Sequence, residues 1–351
     1  MFMRRRCSIL LGILVLAGMV QIAAGQDRNA TEVLKVDTRL VSVPVTVSDR
    51  NGRYVPGLAE ADFTLYQDGV KQNIDFFGAT EEPLTIALLI DTSQSTRPVL
   101  ADIKDSAHAF LKLLMPRDRA MVVSFDYDTH LLSGLTTDKE QLRQAIRTAD
   151  IPDELFGTTL RDAAFQTINK SFAGLKGRKA VIILTDGKDF GSRISPDELL
   201  YSLQETDTLI YTVMFRTGGG QGRGAGGGGR NRGVFGGGFP DGPRFPGGGF
   251  PPPRDRRNQG GQRIGRNNER AEEFLRQLSD TTAGRFYTSE DGKLKKTFES
   301  IVEELRFQYR LGFYPPDETN EKPLHELKVK VGRTDVAVRA RASYRTQNPT
   351  R

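Results

Sequence analysis

"LTIALLIDTSQS", residues 84–95, is an unbroken apolar run that ends in a carboxylate followed by two hydroxyls in alternate positions. A continuous apolar run is what a strand covered on both faces requires, as in a parallel sheet layered by helices. Asp91, Ser93 and Ser95 then stand where the chain leaves the core. Polar residues occur at any strand exit, so three oxygens become informative only if other groups converge on them.

A second run of the same kind, "KAVIILTDG" at 179–187, stops at Asp186. Between and after these two the chain alternates strand and helix. "VLADIKDSAHAFLKLLM" places Val99, Ile103, Ala107, Phe110, Leu111 and Leu114 on one helical face. "RAMVVSFD" reads as a strand and "LLSGLTT" as a short edge strand. "DKEQLRQAIRTA" and "TLRDAAFQTINKSF" read as helices, and "SPDELLYSLQET" as a helix with Ser195 as N-cap and Pro196 at its first position. "TLIYTVMF" follows as a strand, then "NERAEEFLRQLSDTTAGRFYTS" as helix and short strand, and "KLKKTFESIVEELRFQ" as a last amphipathic helix. Strands alternating with helices of this length predict a doubly wound, mostly parallel α/β sheet flanked by helices.

The flanks keep a different rhythm. "RLVSVPVTVSD", the Asn51-Gly52 turn and "DFTLYQDGVKQNIDFF" around Asp68-Gly69 alternate as half-buried strands do. Three or four strands do not close a sandwich. "FQYRLGFYPP", "LHELKVKVG" and "DVAVRARASYR" alternate in the same way near the other end and supply partners. The expected organisation is one β-sandwich built from both chain ends, 26–80 and 309–351, with residues 81–308 inserted between them. Two separate small β units are the alternative.

The first 25 residues carry Arg4, Arg5 and Arg6, an apolar run from Ile9 to Val20 and small residues at Ala23 and Gly25. That is the layout of a secretory signal peptide, 1–25, and it predicts export to the periplasm, the cell surface or the medium. An uncleaved N-terminal anchor is the alternative; no later segment is apolar enough to span a membrane. Cys7 is the single cysteine and precedes the apolar run, so the mature chain has neither disulfides nor thiolate metal sites. His108, His130 and His325 are scattered, which argues against a histidine-rich zinc site.

Hydrophobic content is 37% of 351 residues, and the low value traces to a tract at 217–268 rich in glycine and arginine. Such a tract cannot bury enough apolar surface to offset its ordering entropy and reads as a disordered insertion. Its nine arginines against Asp241 and Asp255, with the three in the leader, outweigh the whole net charge of +6. The folded remainder is mildly acidic, so no specific nucleic-acid partner is expected. Arginine among glycine resembles RNA-binding segments, but a flexible surface loop suits an exported chain better. Phe235, Phe239, Phe245 and Phe250 lie too far apart in that tract to form a core.

In doubly wound sheets ligands bind beyond the carboxyl ends of the strands, where helices change faces. The two most apolar strands are expected to be central neighbours, which puts Asp91 and Asp186 on one rim. Two adjacent carboxylates are costly unless a cation lies between them. Hard divalent cations such as Mg²⁺ accept carboxylate, hydroxyl and water oxygens, and Ser93 and Ser95 can both turn inward.

"DTSQS" at 91–95 resembles the D-x-S-x-S of von Willebrand factor type A (VWA) domains. "LTDG" at 184–187 resembles their second acidic loop, and "GTTLRDA" at 157–163 their Gly-Thr loop. The last of these, with the flanking "FTLYQDGVKQNI" and "YRLGFYP", is similar to the VWFA-related proteins of Acidobacteria. The resemblance covers nearly all of the mature chain except the Gly-rich tract. It implies a metal-ion-dependent adhesion site holding Mg²⁺, or Mn²⁺ or Ca²⁺. Ser93 and Ser95 would ligate directly, Asp91 and Asp186 mainly through water, and Thr158 would enter or leave the coordination shell with the state of the site. Thr159 is the alternative to Thr158. The open position would accept an Asp or Glu carboxylate from a partner protein.

Asp126 in "SFDYD" and Asp189 in "DGKDF" lie near the same rim and read mainly as solvated loop acids. Catalysis is not expected. A phosphoryl-transfer D-x-D-x-[TV] motif would need an acid where Ser93 stands, and a serine hydrolase would need a histidine beside its nucleophile. Only His130 falls near the rim. A structural envelope protein, acting through its β-sandwich without metal, is the other non-catalytic reading.

Overall fold

The computed structural model describes residues 40–79, 82–153, 156–216, 257–289, 294–316 and 323–346. The expected leader, 1–25, and most of the Gly/Arg-rich tract lie outside the described residues. In chain order the elements begin with β1 (Val41–Asp49), β2 (Phe63–Gln67), β3 (Val70–Gln72) and β4 (Phe76–Ala79). Then come β5 (Leu84–Asp91), α1 (Leu100–Leu113), β6 (Arg119–Phe125), β7 (Thr129–Thr136), α2 (Lys139–Arg147) and α3 (Leu160–Gln166). They continue with β8 (Arg178–Thr185), α4 (Pro196–Leu203), β9 (Leu209–Met214), α5 (Arg257–Thr281), β10 (Arg285–Thr288) and α6 (Leu294–Phe307). The last strands are β11 (Tyr309–Phe313), β12 (Leu324–Val331), β13 (Val336–Ala340) and β14 (Ser343–Arg345).

The central sheet has the order β10-β9-β8-β5-β6-β7, parallel except for the antiparallel edge strand β7. Side chains of a strand alternate between faces, and each face of this sheet has its own core. Ile86, Leu88 and Ile90 of β5 join Phe110 of α1, Ile146 of α2 and Phe298 of α6 on one side. Ala87 and Leu89 join Leu160 of α3, Leu199 of α4 and Leu275 of α5 on the other. Every residue of β5 is buried, which explains why its sequence shows no polar alternation. The α/β class and mostly parallel sheet expected from the sequence are therefore present. The chain leaves β5 toward β6 on one side and returns to β8 on the other, so the switch point lies between β5 and β8.

Two four-stranded sheets, β13-β1-β11-β4 and β14-β12-β2-β3, each combine strands from both ends of the chain. They enclose one core that includes Val43, Val45, Phe63, Leu65, Leu311, Leu327 and Tyr344. "DVAVRARASYR" does not form one strand. β13 pairs with β1 in one sheet and β14 with β12 in the other. The crossing occurs at the buried Arg341, whose guanidinium donates to the carbonyls of Gln204, Thr206 and Ser343.

The insertion differs from its expected bounds at one end. α5 begins at Arg257, inside the 217–268 tract assigned to disorder. Once the "NERAEEFL" segment is helical, extending it by one residue adds one hydrogen bond without a new nucleation cost. Sequence composition does not register that coupling. Ser195 caps α4 as expected, its Oγ accepting from the Glu198 N–H at 3.1 Å.

Candidate metal centre

The five residues expected to form a metal site lie on three loops at the carboxyl ends of β5 and β8 and before α3. Ile90 pairs with Leu184 across the parallel ladder, so the next residues, Asp91 and Thr185, emerge side by side. Thr185 Oγ1 donates to Asp91 Oδ2 at 2.5 Å, and the Ser93 N–H donates to Asp91 Oδ1 at 2.9 Å. The Asp91 side chain thus faces inward with 0% exposure. Burial, and then the charge of Asp186, push its carboxyl up to about 7. Hydrogen bonds from Ser93 and Thr185 oppose that shift without cancelling it. A carboxyl in this condition is one for which an adjacent cation would be strongly favourable.

The loop after β5 is bolted in place. Thr96 Oγ1 donates to the carbonyls of Asp91 and Ser93 at 3.0 and 2.8 Å, and Thr92 Oγ1 bonds the Phe125 carbonyl and Asp126 Oδ2. This holds Ser93 Oγ and Ser95 Oγ 3.1 Å apart, both pointing to the same side. Gly187 follows Asp186 with φ +81°, and a Cβ there would stand 3.1 Å from Ala271 Cβ and Leu275 Cδ1. The tight turn after Asp186 therefore depends on glycine. Asp186 is 2% exposed and forms an ion pair with Lys188 Nζ.

Thr158 and Thr159 are both buried, and their environments distinguish them. The Thr159 hydroxyl and N–H are both committed to the Asp126 carbonyl. The Thr158 carbonyl accepts from the N–H groups of Phe190 and Gly191, which joins the Gly-Thr loop to the Asp186 loop. Those contacts leave Thr158, rather than Thr159, with a hydroxyl not spent on Asp126. Gly157 packs against Tyr127, where an added Cβ would lie 3.2 Å from the Tyr127 Cα.

Two acids were misjudged from sequence. Asp126 is 3% exposed and accepts from Thr92, the Asp128 N–H and His130 Nε2. Asp189 accepts from the Arg161 N–H, Ser192 Oγ and the Ser192 N–H. Neither is a solvated loop acid; both tie one rim loop to the next. Thr92, Thr96 and Thr185 were not identified from sequence at all. Their roles follow from strand register and loop closure, although the threonines flanking both acidic motifs were a visible signal.

Residues 86–188 match the family model of the von Willebrand factor type A domain. The matched segment runs from β5 to just beyond Asp186 and contains all five residues of the candidate site. Residues 86–188 are a VWA domain. No curated protein matches the chain. Among solved structures, BatB from Bacteroides thetaiotaomicron is 16% identical, covering 63% of this chain and 97% of its own, with a TM-score of 0.41. Proximal thread matrix protein 1 from the mussel byssus, with a zinc-occupied MIDAS motif, is 17% identical over 68% of this chain and 49% of its own, with a TM-score of 0.44. The vWF domain of the type V pili tip protein Mfa5 from Porphyromonas gingivalis is 13% identical over 64% and 95%, with a TM-score of 0.40.

The donor set of this VWA domain fits a hard divalent cation. Among the described residues no three His, Cys, Asp or Glu side chains cluster tightly enough to hold a metal by themselves. The rim instead offers two buried carboxylates and hydroxyls, oxygens of the kind Mg²⁺ accepts alongside water. Among the described residues no helix is long and apolar enough to cross a membrane.

Proposed function

We propose that this chain is an exported binding protein whose VWA domain holds a divalent cation, Mg²⁺ with Mn²⁺ or Ca²⁺ as substitutes, and through it engages a partner protein. Asp91, Ser93, Ser95, Thr158 and Asp186 are the proposed ligands, with Asp91 and Asp186 acting mainly through water. The cation supplies concentrated positive charge and a position open to an incoming Asp or Glu carboxylate. The chain's own residues withdraw the carboxylates from the surface, fix the two serine hydroxyls and hold the Gly-Thr loop against the Asp186 loop.

One observation carries the proposal. Asp91 is buried beside Asp186 with its carboxyl raised to about 7, an arrangement that disfavours its own ionised form in the absence of a cation. A binding role is favoured over catalysis because His130, the histidine of this rim, directs Nε2 to Asp126 rather than to a serine or threonine hydroxyl. We also propose that 26–80 and 309–351 form one β-sandwich domain interrupted by the VWA insertion at 81–308, and that residues 1–25 direct export.

The test is a thermal melt of the full chain with EDTA, Mg²⁺ or Mn²⁺. A rise in Tm with either metal, abolished in Asp91→Ala, is the expected result. No rise in the wild-type protein would refute metal binding.

A further inference from the structure

Exposed large apolar side chains gather on the loops that carry the candidate site. Phe156 is 79% exposed, Phe190 74% and Tyr127 41%. Phe156 immediately precedes Gly157 and Thr158, Phe190 follows Asp189 in the Asp186 loop, and Tyr127 follows Asp126 at the end of β6. Backbone contacts put the three together. The Phe190 N–H donates to the Thr158 carbonyl at 3.1 Å, and Gly157 packs directly on Tyr127. Tyr127 also meets His130 edge-on, with ring centroids 6.0 Å apart.

We propose that these aromatics form an apolar collar around the metal position, selecting a partner segment in which an acidic residue is flanked by large apolar side chains. The inference rests on the metal-binding function proposed above and adds the identity of the flanking contacts. Charge sets the centre of that partner. Asp91, Asp126 and Asp186 are each 3% exposed or less, so these three carboxylates are turned away from an approaching surface, while Asp128, beside Tyr127, is exposed. Lys188, with a quarter of its side chain exposed, is ion-paired with Asp186 and offsets the charge of that carboxylate. Apolar area sets the flanks. Rigid aromatic side chains lose little entropy on binding and dominate the energetic centres of interfaces. The collar is pre-organised, because its loops are cross-linked by Asp126, Asp189 and the Thr158 carbonyl; pre-organisation lowers the cost of association.

The test uses the full chain with Mn²⁺ and two capped heptapeptides, each with a central aspartate. One is flanked by phenylalanine and leucine, the other by serine. Isothermal titration is expected to show at least tenfold tighter binding of the apolar-flanked peptide. In the double variant Phe156→Ser with Phe190→Ser the preference should fall to near unity, while the Mn²⁺-induced rise in Tm stays at the wild-type value. Both positions are exposed, so folding is not at risk. Equal affinity for the two peptides, no binding of the apolar-flanked peptide, or a preference that survives in the double variant would overturn the collar. Failure of the metal proposal is distinguishable: it appears as no Mn²⁺ shift in wild-type protein, and an apolar preference that persists in EDTA would uphold the collar alone.

Discussion

Asp91 and Glu304 are both carboxylates with no solvent exposure, and they are buried on opposite terms. Glu304, on α6, receives the hydroxyls of Tyr54 and Tyr211 at 3.0 and 2.8 Å and the guanidinium of Arg339, with Arg285 at 3.5 Å. Tyr54, in the connection between β1 and β2, and Arg339 of β13 come from the region built from the chain ends, while Tyr211 and Arg285 belong to the central sheet. Burial and the Glu304 charge hold both phenols above the usual tyrosine range, so both remain donors. Glu304 is thus completed by this chain and joins the two β regions. Asp91 faces a second carboxylate, and its hydrogen bonds do not restore an ordinary acidity. A buried charge whose partners are all internal is architecture; one left in deficit is where we propose that an outside ion binds.

The sharpest break between the two sites should come from removing each carboxylate. Glu304→Ala leaves Arg339 without its buried partner and should cost about 3–5 kcal/mol, read from urea unfolding. Asp91→Asn should act in the opposite direction in EDTA at pH 8, stabilising the protein by roughly 1–2 kcal/mol because one member of a repelling pair is gone. The pH dependence carries the same sign. The folded Asp91 carboxyl, at about 7, lies above its unfolded value of 3.8, so between these limits the folded state holds more protons. For metal-free protein this group's contribution to stability should fall as pH rises from about 4 to 7, and Asp91→Asn should remove that slope.

Smaller effects refine the contrast. Thr185→Val removes the 2.5 Å bond to Asp91 Oδ2 and should cost about 1–2 kcal/mol in chemical denaturation. Ser93→Ala combined with Ser95→Ala should cost the metal-free protein no more than about 1.5 kcal/mol, the net worth of a hydrogen bond, yet sharply reduce the Tm response to Mn²⁺. A large loss of stability in that double variant would mean that the serines are structural, like the donors around Glu304.

Much of the central domain was legible because its strands are extreme. β5 and β8 are continuous apolar runs, and each leads into one of the acidic motifs, so sheet type and candidate rim followed together. The flanking strands were legible through alternation, but the switch of the chain between sheets at Arg341 was not, because alternation continues through the crossing. Glu304 was hidden for a related reason. Next to Glu303 on an amphipathic helix it reads as part of the solvent face, and only tertiary packing brings two tyrosines and two arginines to it. Asp126 and Asp189 were misread because burial of a loop acid depends on what other loops present to it. Thr185 needed the register of two parallel strands, which neither strand encodes alone.

Mn²⁺ binding followed by electron paramagnetic resonance tests the central contrast most directly. One bound ion per wild-type chain is expected at pH 7.5, with loss of that ion in Asp91→Asn although the variant remains folded. Absence of bound Mn²⁺ in the wild-type chain, or its retention at full occupancy in Asp91→Asn, would contradict this expectation.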